Sequence, residues 1–154
     1  MGLFKPATYR DDLLTMLTRS GRYWCGDLTL LKGTFKLRLY GDRARPDAIS
    51  VRLAHQLCAR LPELLSQLQT SLFEHYLPYR DAAYTGALPD ERKRLPEITS
   101  PAGVWPSVSP AHILIEPMDG IPTIEIAFAV AWDEEHTVGA RIRDWRLIEL
   151  CGSV

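Results

Sequence analysis

The longest regular pattern of apolar positions in the chain predicts an amphipathic helix. Pro46 and Asp47, or Ser50, are suited to begin it. Apolar residues then recur at three- and four-residue steps, which places them on one stripe that we expect to face the core: Leu53, Ala54, Leu57, Cys58, Leu61, Leu64, Leu65, Leu68, Leu72, Phe73 and Tyr76. Pro62 predicts a kink or two helices end to end, and Pro78 is expected to limit the far end.

Alternating apolar and polar positions before this helix predict a β-hairpin over residues 22–40. Lys32 and Gly33 supply the turn, because they separate two alternating runs. Gly41 and Asp42 are expected to close the hairpin. The apolar residues expected on the faces of its strands are Leu28, Leu30, Phe35, Leu37 and Leu39.

The first twenty residues carry a weaker pattern that favours a short helix. Thr8 is suited to cap it, and Asp11 and Asp12 would lie in its first turn, where the helix dipole favours negative charge. Gly21 is expected to end it. The apolar residues of this helix would be Leu13, Leu14, Met16 and Leu17.

The chain after Pro110 alternates again and predicts an antiparallel meander of three or four strands. Turns are expected at 118–120, 133–136 and 144–145. The longest strand places large apolar residues on one face: Ile124, Ile126, Phe128, Val130 and Trp132. Its other face carries Glu125 and alanines, and such small residues suggest that the long helix packs there.

Residues 80–110 contain five of the eleven prolines and a charged run at 90–94, so we expect them to be irregular. Helix and strands are otherwise segregated along the chain, which predicts an α+β fold. The predicted architecture is an N-terminal β-hairpin, a long kinked helix and a C-terminal antiparallel meander that forms one sheet packed on the helix. A length of 154 residues indicates a single domain over 1–154.

The composition is that of a soluble globular protein, with 46% hydrophobic and 24% charged residues. A net charge of −1 gives no reason to expect binding to nucleic acid or to an anionic membrane. No apolar run reaches the roughly 20 residues of a membrane span, and the polar N-terminus does not resemble a signal peptide.

Three cysteines without a CxxC pair suit a reducing cytoplasm and argue against a disulfide framework. We expect Cys25, Cys58 and Cys151 to be small buried hydrophobic residues. The charge of the chain is uneven, because residues 1–77 carry a net +4 and residues 78–154 a net −5. The acidic second half favours a basic partner.

Candidate chemistry is sparse. The chain lacks the common nucleotide-binding, zinc-protease and serine-hydrolase motifs, so we expect no catalytic residue, metal or cofactor. The one dense polar cluster is Asp133, Glu134, Glu135 and His136, for which a solvated turn, a partner contact and a metal site are all open interpretations. Two further residues, Trp105 and Trp145, lie in irregular or turn positions, where tryptophan commonly anchors an interface.

Two stretches of the chain resemble a group of uncharacterised bacterial domains. That group pairs an early W-x-G strand with a late W-D-x-E-H-x-x-G turn, and the corresponding residues are Trp24, Gly26, Trp132, Asp133, Glu135, His136 and Gly139. The resemblance implies that these late residues matter for folding or for function. Some members resemble immunity proteins encoded beside secreted toxins, which implies a cytoplasmic inhibitor that binds one partner.

The sequence therefore favours a cytoplasmic protein-binding domain, of the kind that inhibits a basic toxin. Its expected contact residues are Asp133, Glu134, Glu135, His136, Trp105 and Trp145, together with the segment 88–106. One alternative is a small metal-binding protein or hydrolase that uses the residues from Asp133 to His136, with or without His112. Another is a homodimeric scaffold, in which the strand carrying Glu125 lies at a sheet edge and pairs with a second copy.

Overall fold

Eight strands form one sheet in the computed structural model, which describes residues 3–85 and 95–152. The strands lie in chain order, and neighbours are antiparallel except for β4 and β5, which are parallel. Their bounds are β1 Thr8–Asp11, β2 Thr15–Ser20, β3 Tyr23–Leu30, β4 Gly33–Tyr40, β5 Val108–Met118, β6 Ile121–Val130, β7 Asp133–Arg143 and β8 Arg146–Gly152. A helix, α1 (Ala48–Thr85), and a short 3₁₀ helix (Pro101–Ser107) connect β4 to β5. The predicted α+β fold is confirmed.

The two hairpins predicted around turns with glycine are confirmed. Gly33 has φ +124°, and the register pairs it with Leu30 across the β3–β4 turn. Asp119 and Gly120 have φ +54° and +75°, which is the left-handed geometry of a tight two-residue hairpin turn. Glycine tolerates that geometry without steric cost, so the Asp-Gly pair fixes the register between β5 and β6.

The helix predicted for the first twenty residues is wrong, because β1 and β2 form a hairpin there. The Asp11 carboxylate closes its turn by accepting hydrogen bonds from the backbone N–H groups of Leu13 and Leu14, at 2.9 and 2.8 Å. Such a side-chain bond to the backbone competes with a helix. Leu14 in this turn and Leu17 on β2 are both buried in the core.

The long helix begins as predicted and ends later than predicted. Asp47 caps it, because its carboxylate accepts a hydrogen bond from the Ser50 N–H at 3.0 Å. Pro62 and Pro78 both lie inside one helix that continues to Thr85, so the expected end at Pro78 is wrong. Both prolines are exposed, and water can therefore solvate the carbonyl groups that they leave without a donor.

The helix packs on the face of the sheet that carries the large apolar side chains. Leu57, Leu64 and Leu68 on α1 share one buried cluster with Ile126 and Phe128 on β6. The expectation that α1 covers the small residues is therefore wrong, because those residues lie on the sheet face opposite α1. Burial of the larger side chains removes more apolar surface from water, which decides between the two faces.

The sheet curves around the helix. His55 on α1 contacts Asp11 at the β1 edge, and Arg60 stacks on Trp145 beside the β8 edge. The strand that carries Glu125 is β6, which lies between β5 and β7, so the expectation of an edge strand there is wrong. Within the described residues the sheet edges are β1 and β8.

The segment expected to be irregular is shorter than 80–110. The helix occupies its first residues, the 3₁₀ helix and the start of β5 occupy its end, and residues 86–94, with the charged run, lie outside the described part of the chain. Cys25, Cys58 and Cys151 are free and half-buried, so the expectation of full burial is wrong. No helix in residues 3–85 or 95–152 combines the length and apolar character needed to cross a membrane.

Candidate functional site

Asp133, the first residue of the predicted polar cluster, is a fixed anchor between β7 and the helix. Its Oδ2 accepts a hydrogen bond from the Tyr79 hydroxyl at 2.8 Å, and its Oδ1 accepts one from the Glu135 N–H at 3.2 Å. His136 Nδ1 lies 3.1 Å from both carboxylate oxygens. Burial acts to raise the pKa of Asp133, but the bonds from Tyr79 and His136 outweigh it and hold that pKa below its usual range.

A second contact ties the same end of β7 to the helix. The buried Trp132 donates its indole N–H to His75 Nδ1 at 2.9 Å, and its ring meets that of Tyr76 edge to face at 5.4 Å. Burial lowers the pKa of His75, although the charge of Asp133 acts in the opposite direction. A neutral imidazole is the form that accepts the indole proton, so the low pKa matches the hydrogen bond.

Glu134 and Glu135 follow this anchor on β7 and are exposed, and Glu74 and Asp81 are exposed on the neighbouring turns of α1; we call these four residues the acidic end. The bonds of Asp133 and Trp132 bring β7 beside residues 75–79 of α1, so the strand and the helix contribute to one surface. Arg80 forms an exposed ion pair with Asp81 at 3.0 Å, and such exposed pairs contribute little to stability. The net charge of the acidic end with Arg80 is negative.

Trp105 lies in the 3₁₀ helix and is half-buried against the core. Its indole N–H donates to Gln69 Oε1 at 3.2 Å, and its ring packs edge to face on Phe128 at 6.2 Å. The ammonium group of Lys32 lies 4.3 Å from the ring centroid, within the range of a cation–π contact. One edge of this indole is therefore held inside the domain.

Trp145 lies far from the acidic end. It occupies the β7–β8 turn, whereas Asp133 begins β7, and an 11-residue strand spans roughly 33 Å at about 3.3 Å per residue. The structure thus brings Asp133, Glu134, Glu135 and His136 together and separates Trp145 from them. One small contact surface cannot include both.

The metal or hydrolase alternative uses the residues from Asp133 to His136, and His112 was a further candidate beside them. His112 instead lies beside Glu125, with Nε2 3.8 Å from Oε1, which is an ion-pair distance rather than a hydrogen bond. A bulge between Pro110 and Ile113 aims it there. In the part of the chain that the structure describes, no three His, Cys, Asp or Glu side chains are grouped to hold a metal ion.

The sequence reasoning missed an ionic cluster on the sheet face opposite α1. The buried Glu125 accepts a hydrogen bond from Arg141 Nε at 2.9 Å, and Arg141 Nη1 donates to Glu149 at 2.9 Å. His112 and Arg141 hold the pKa of Glu125 below its usual range. The signal was present in the alternation of β6, where a single carboxylate stands among alanines, but the partners depend on strand register, which that alternation does not define.

The comparisons with known proteins identify a family and nothing beyond it. The family model described as Domain of unknown function (DUF6985) matches residues 14–153, so the chain belongs to that family. No curated protein and no solved structure matches the chain.

Proposed function

We propose that this member of the DUF6985 family is a cytoplasmic protein-binding domain that inhibits a basic bacterial toxin, in the manner of an immunity protein. The acidic end is its contact surface. The observation that carries the proposal is that Glu134 and Glu135 are exposed on a strand whose first residue, Asp133, is fixed by three hydrogen-bonding partners.

A fixed acidic surface is what tight recognition of a cationic partner requires. Side chains on a rigid strand lose less conformational entropy on binding than side chains on a mobile loop. Complementary charge also speeds the encounter with a basic partner and disfavours acidic ones. Three free cysteines, Cys25, Cys58 and Cys151, are compatible with the reducing compartment in which such an inhibitor would act.

The first experiment is affinity capture from the native host, followed by native mass spectrometry of the intact complex. We expect a second protein of basic pI in stoichiometric amount. A homodimer without any other protein would contradict the proposal and favour a scaffold. A chain carrying only a metal or small-molecule mass would contradict it in favour of the enzyme alternative.

The second experiment uses the purified partner and tests the surface. Glu134→Lys with Glu135→Lys changes the local charge by +4, and we expect an association rate at least roughly tenfold slower and a weaker salt dependence. Asp12→Lys in the β1–β2 turn with Asp27→Lys on β3 makes the same charge change at two exposed residues and is the matched control. Equal rates for the two double variants would refute the acidic end as the contact surface.

A further inference from the structure

A second feature lies at the other end of β7, where a pocket opens between the first turns of α1 and the sheet. Its volume is about 220 Å³, and aliphatic side chains form most of its wall. Ile49 and Leu53 contribute from the helix, and Ile121, Ile124 and Ile142 contribute from β6 and β7. We call it the Trp145 pocket, because Trp145 lines it from the β7–β8 turn.

The turn that carries Trp145 is strained. Asp144 and Trp145 have φ +47° and +61°, a left-handed pair of the type that Asn-Gly normally occupies. A bulky side chain at positive φ is unusual, because the turn geometry itself favours glycine or asparagine there. The tryptophan at this position therefore points to a functional constraint. The indole stacks on the guanidinium of Arg60, with Cζ 4.5 Å from the ring centroid, so its position is supported from the helix side.

The pocket wall continues to the protein surface. Ile49 and Ile121 both line the pocket, and their side chains are 41% and 47% exposed. Exposed aliphatic side chains around a concave space are typical of a ligand site, because a bound apolar group removes them from water.

Two arginine side chains, Arg52 and Arg143, line the same pocket. Arg143 is held in place, since its Nε donates to Thr123 Oγ1 at 2.8 Å and its Nη2 to the Met118 carbonyl at 3.1 Å, and neither acceptor carries a negative charge. Arg52 is exposed, and its guanidinium makes no hydrogen bond or ion pair with the described residues. Asp144 also lines the pocket, which leaves two guanidinium groups against one carboxylate.

We propose that the Trp145 pocket binds a small aliphatic carboxylic acid in its ionised form. The aliphatic chain would occupy the space between Leu53, Ile124 and Ile142, and the carboxylate would pair with Arg52. A volume below the roughly 300 Å³ of a drug-sized site suits a branched chain of a few carbons. The inference is independent of the proposed protein-binding function, because the acidic end lies at the opposite end of β7.

The test follows the indole N–H signal of Trp145 by NMR in ¹⁵N-labelled protein, with the signal assigned from the spectrum of Trp145→Phe. The probe is 4-methylpentanoate. We expect a saturable shift of this signal with a Kd on the order of millimolar, as is usual for a ligand of so few atoms. The uncharged 4-methylpentanamide should bind roughly tenfold more weakly, because it lacks the carboxylate that pairs with a guanidinium.

A matched pair of variants separates the charge from general effects. Arg52→Gln should weaken binding of the acid roughly fivefold to tenfold and leave binding of the amide unchanged. Arg10→Gln removes an exposed arginine on β1 and should change neither. The proposal is overturned by the absence of a saturable shift, by equal affinities for acid and amide, or by equal effects of the two variants. Parallel linear shifts of all four indole signals would show non-specific association and would also overturn it.

Discussion

The hydrogen bond between Trp132 and His75 allows a sharp test of how the helix and β7 hold together. Replacing His75 by Leu keeps a side chain of similar bulk but removes the acceptor of the Trp132 indole N–H. Trp132 is buried, so the indole N–H would lose its partner away from water. An unsatisfied buried donor costs about 1–3 kcal/mol. For a chain of this length, about 2 kcal/mol lowers Tm by about 4–8 °C.

The pH dependence of this contact has a definite sign. Burial lowers the pKa of His75 in the folded state, so the unfolded chain takes up the proton first as the pH falls. The contribution of His75 is complete above about pH 6.5, its unfolded pKa, and is lost as the pH falls from there through the folded-state pKa. Asp133, Tyr79 and His136 face the same region and are unchanged in the comparison of wild type with variant.

The measurement is urea unfolding at several pH values between 5 and 8, followed by tryptophan fluorescence. His75→Gln is the matched control, because its side-chain carbonyl can accept the indole proton but does not titrate in this range. We expect His75→Leu to be less stable than His75→Gln at pH 8, and wild type to lose stability relative to His75→Gln as the pH falls below 6.5. If His75→Leu unfolds at the wild-type urea concentration, the indole bond does not stabilise the fold.

Three further predictions concern the helix, its anchor and the sheet face opposite the helix. Pro62→Ala and Pro78→Ala should each raise the free energy of unfolding by about 1–3 kcal/mol, since both prolines lie in an exposed helix interior; an unchanged urea midpoint would contradict this. A double-mutant cycle of Tyr79→Phe and Asp133→Asn should give a coupling of about 1 kcal/mol, and additive effects would show that their hydrogen bond contributes nothing. Glu125→Gln should cost about 2 kcal/mol at pH 7, since it weakens a charge-assisted bond to Arg141. Because the folded pKa of Glu125 is lowered, that cost should disappear as the pH falls below about 4.3, and a constant difference between the two proteins in acid unfolding curves would refute it.

The elements that could be predicted from the sequence are those in which local and long-range preferences agree. The stripe on α1 and the Asp-Gly turn at 119–120 have strong local signals, and the structure has a helix and a turn at these positions. The N-terminal hairpin was missed because Asp11 can either favour a helix N-terminus or close a turn, and only pairing with β3 selects the turn. The extent of α1 was underestimated because Pro78 faces solvent, where its local cost can be tolerated.

The candidate site was predictable in composition but not in geometry. The sequence places Asp133 and His136 in one polar cluster, but it does not define the contact of Asp133 with Tyr79, which depends on where α1 passes the sheet. The separation of Trp145 from them follows from strand length and strand direction. The pairing of His112 with Glu125 depends on the bulge between Pro110 and Ile113, which the sequence pattern does not predict. Side-chain partners across strands require the register, and apolar alternation alone does not define it.

The single parallel pairing in the sheet has a consequence for how the chain folds. Every other pair of neighbouring strands is joined by a short turn, whereas the register between β4 and β5 joins Leu39 to Ile115 across the whole helix. Each four-strand half can therefore form from local contacts, and the step with high contact order is the docking of one half on the other. Closing so long a loop carries an entropic cost that only burial of the helix stripe offsets. We expect the amide protons that join β4 to β5 to exchange when the two halves separate, at a free energy no higher than that of global unfolding.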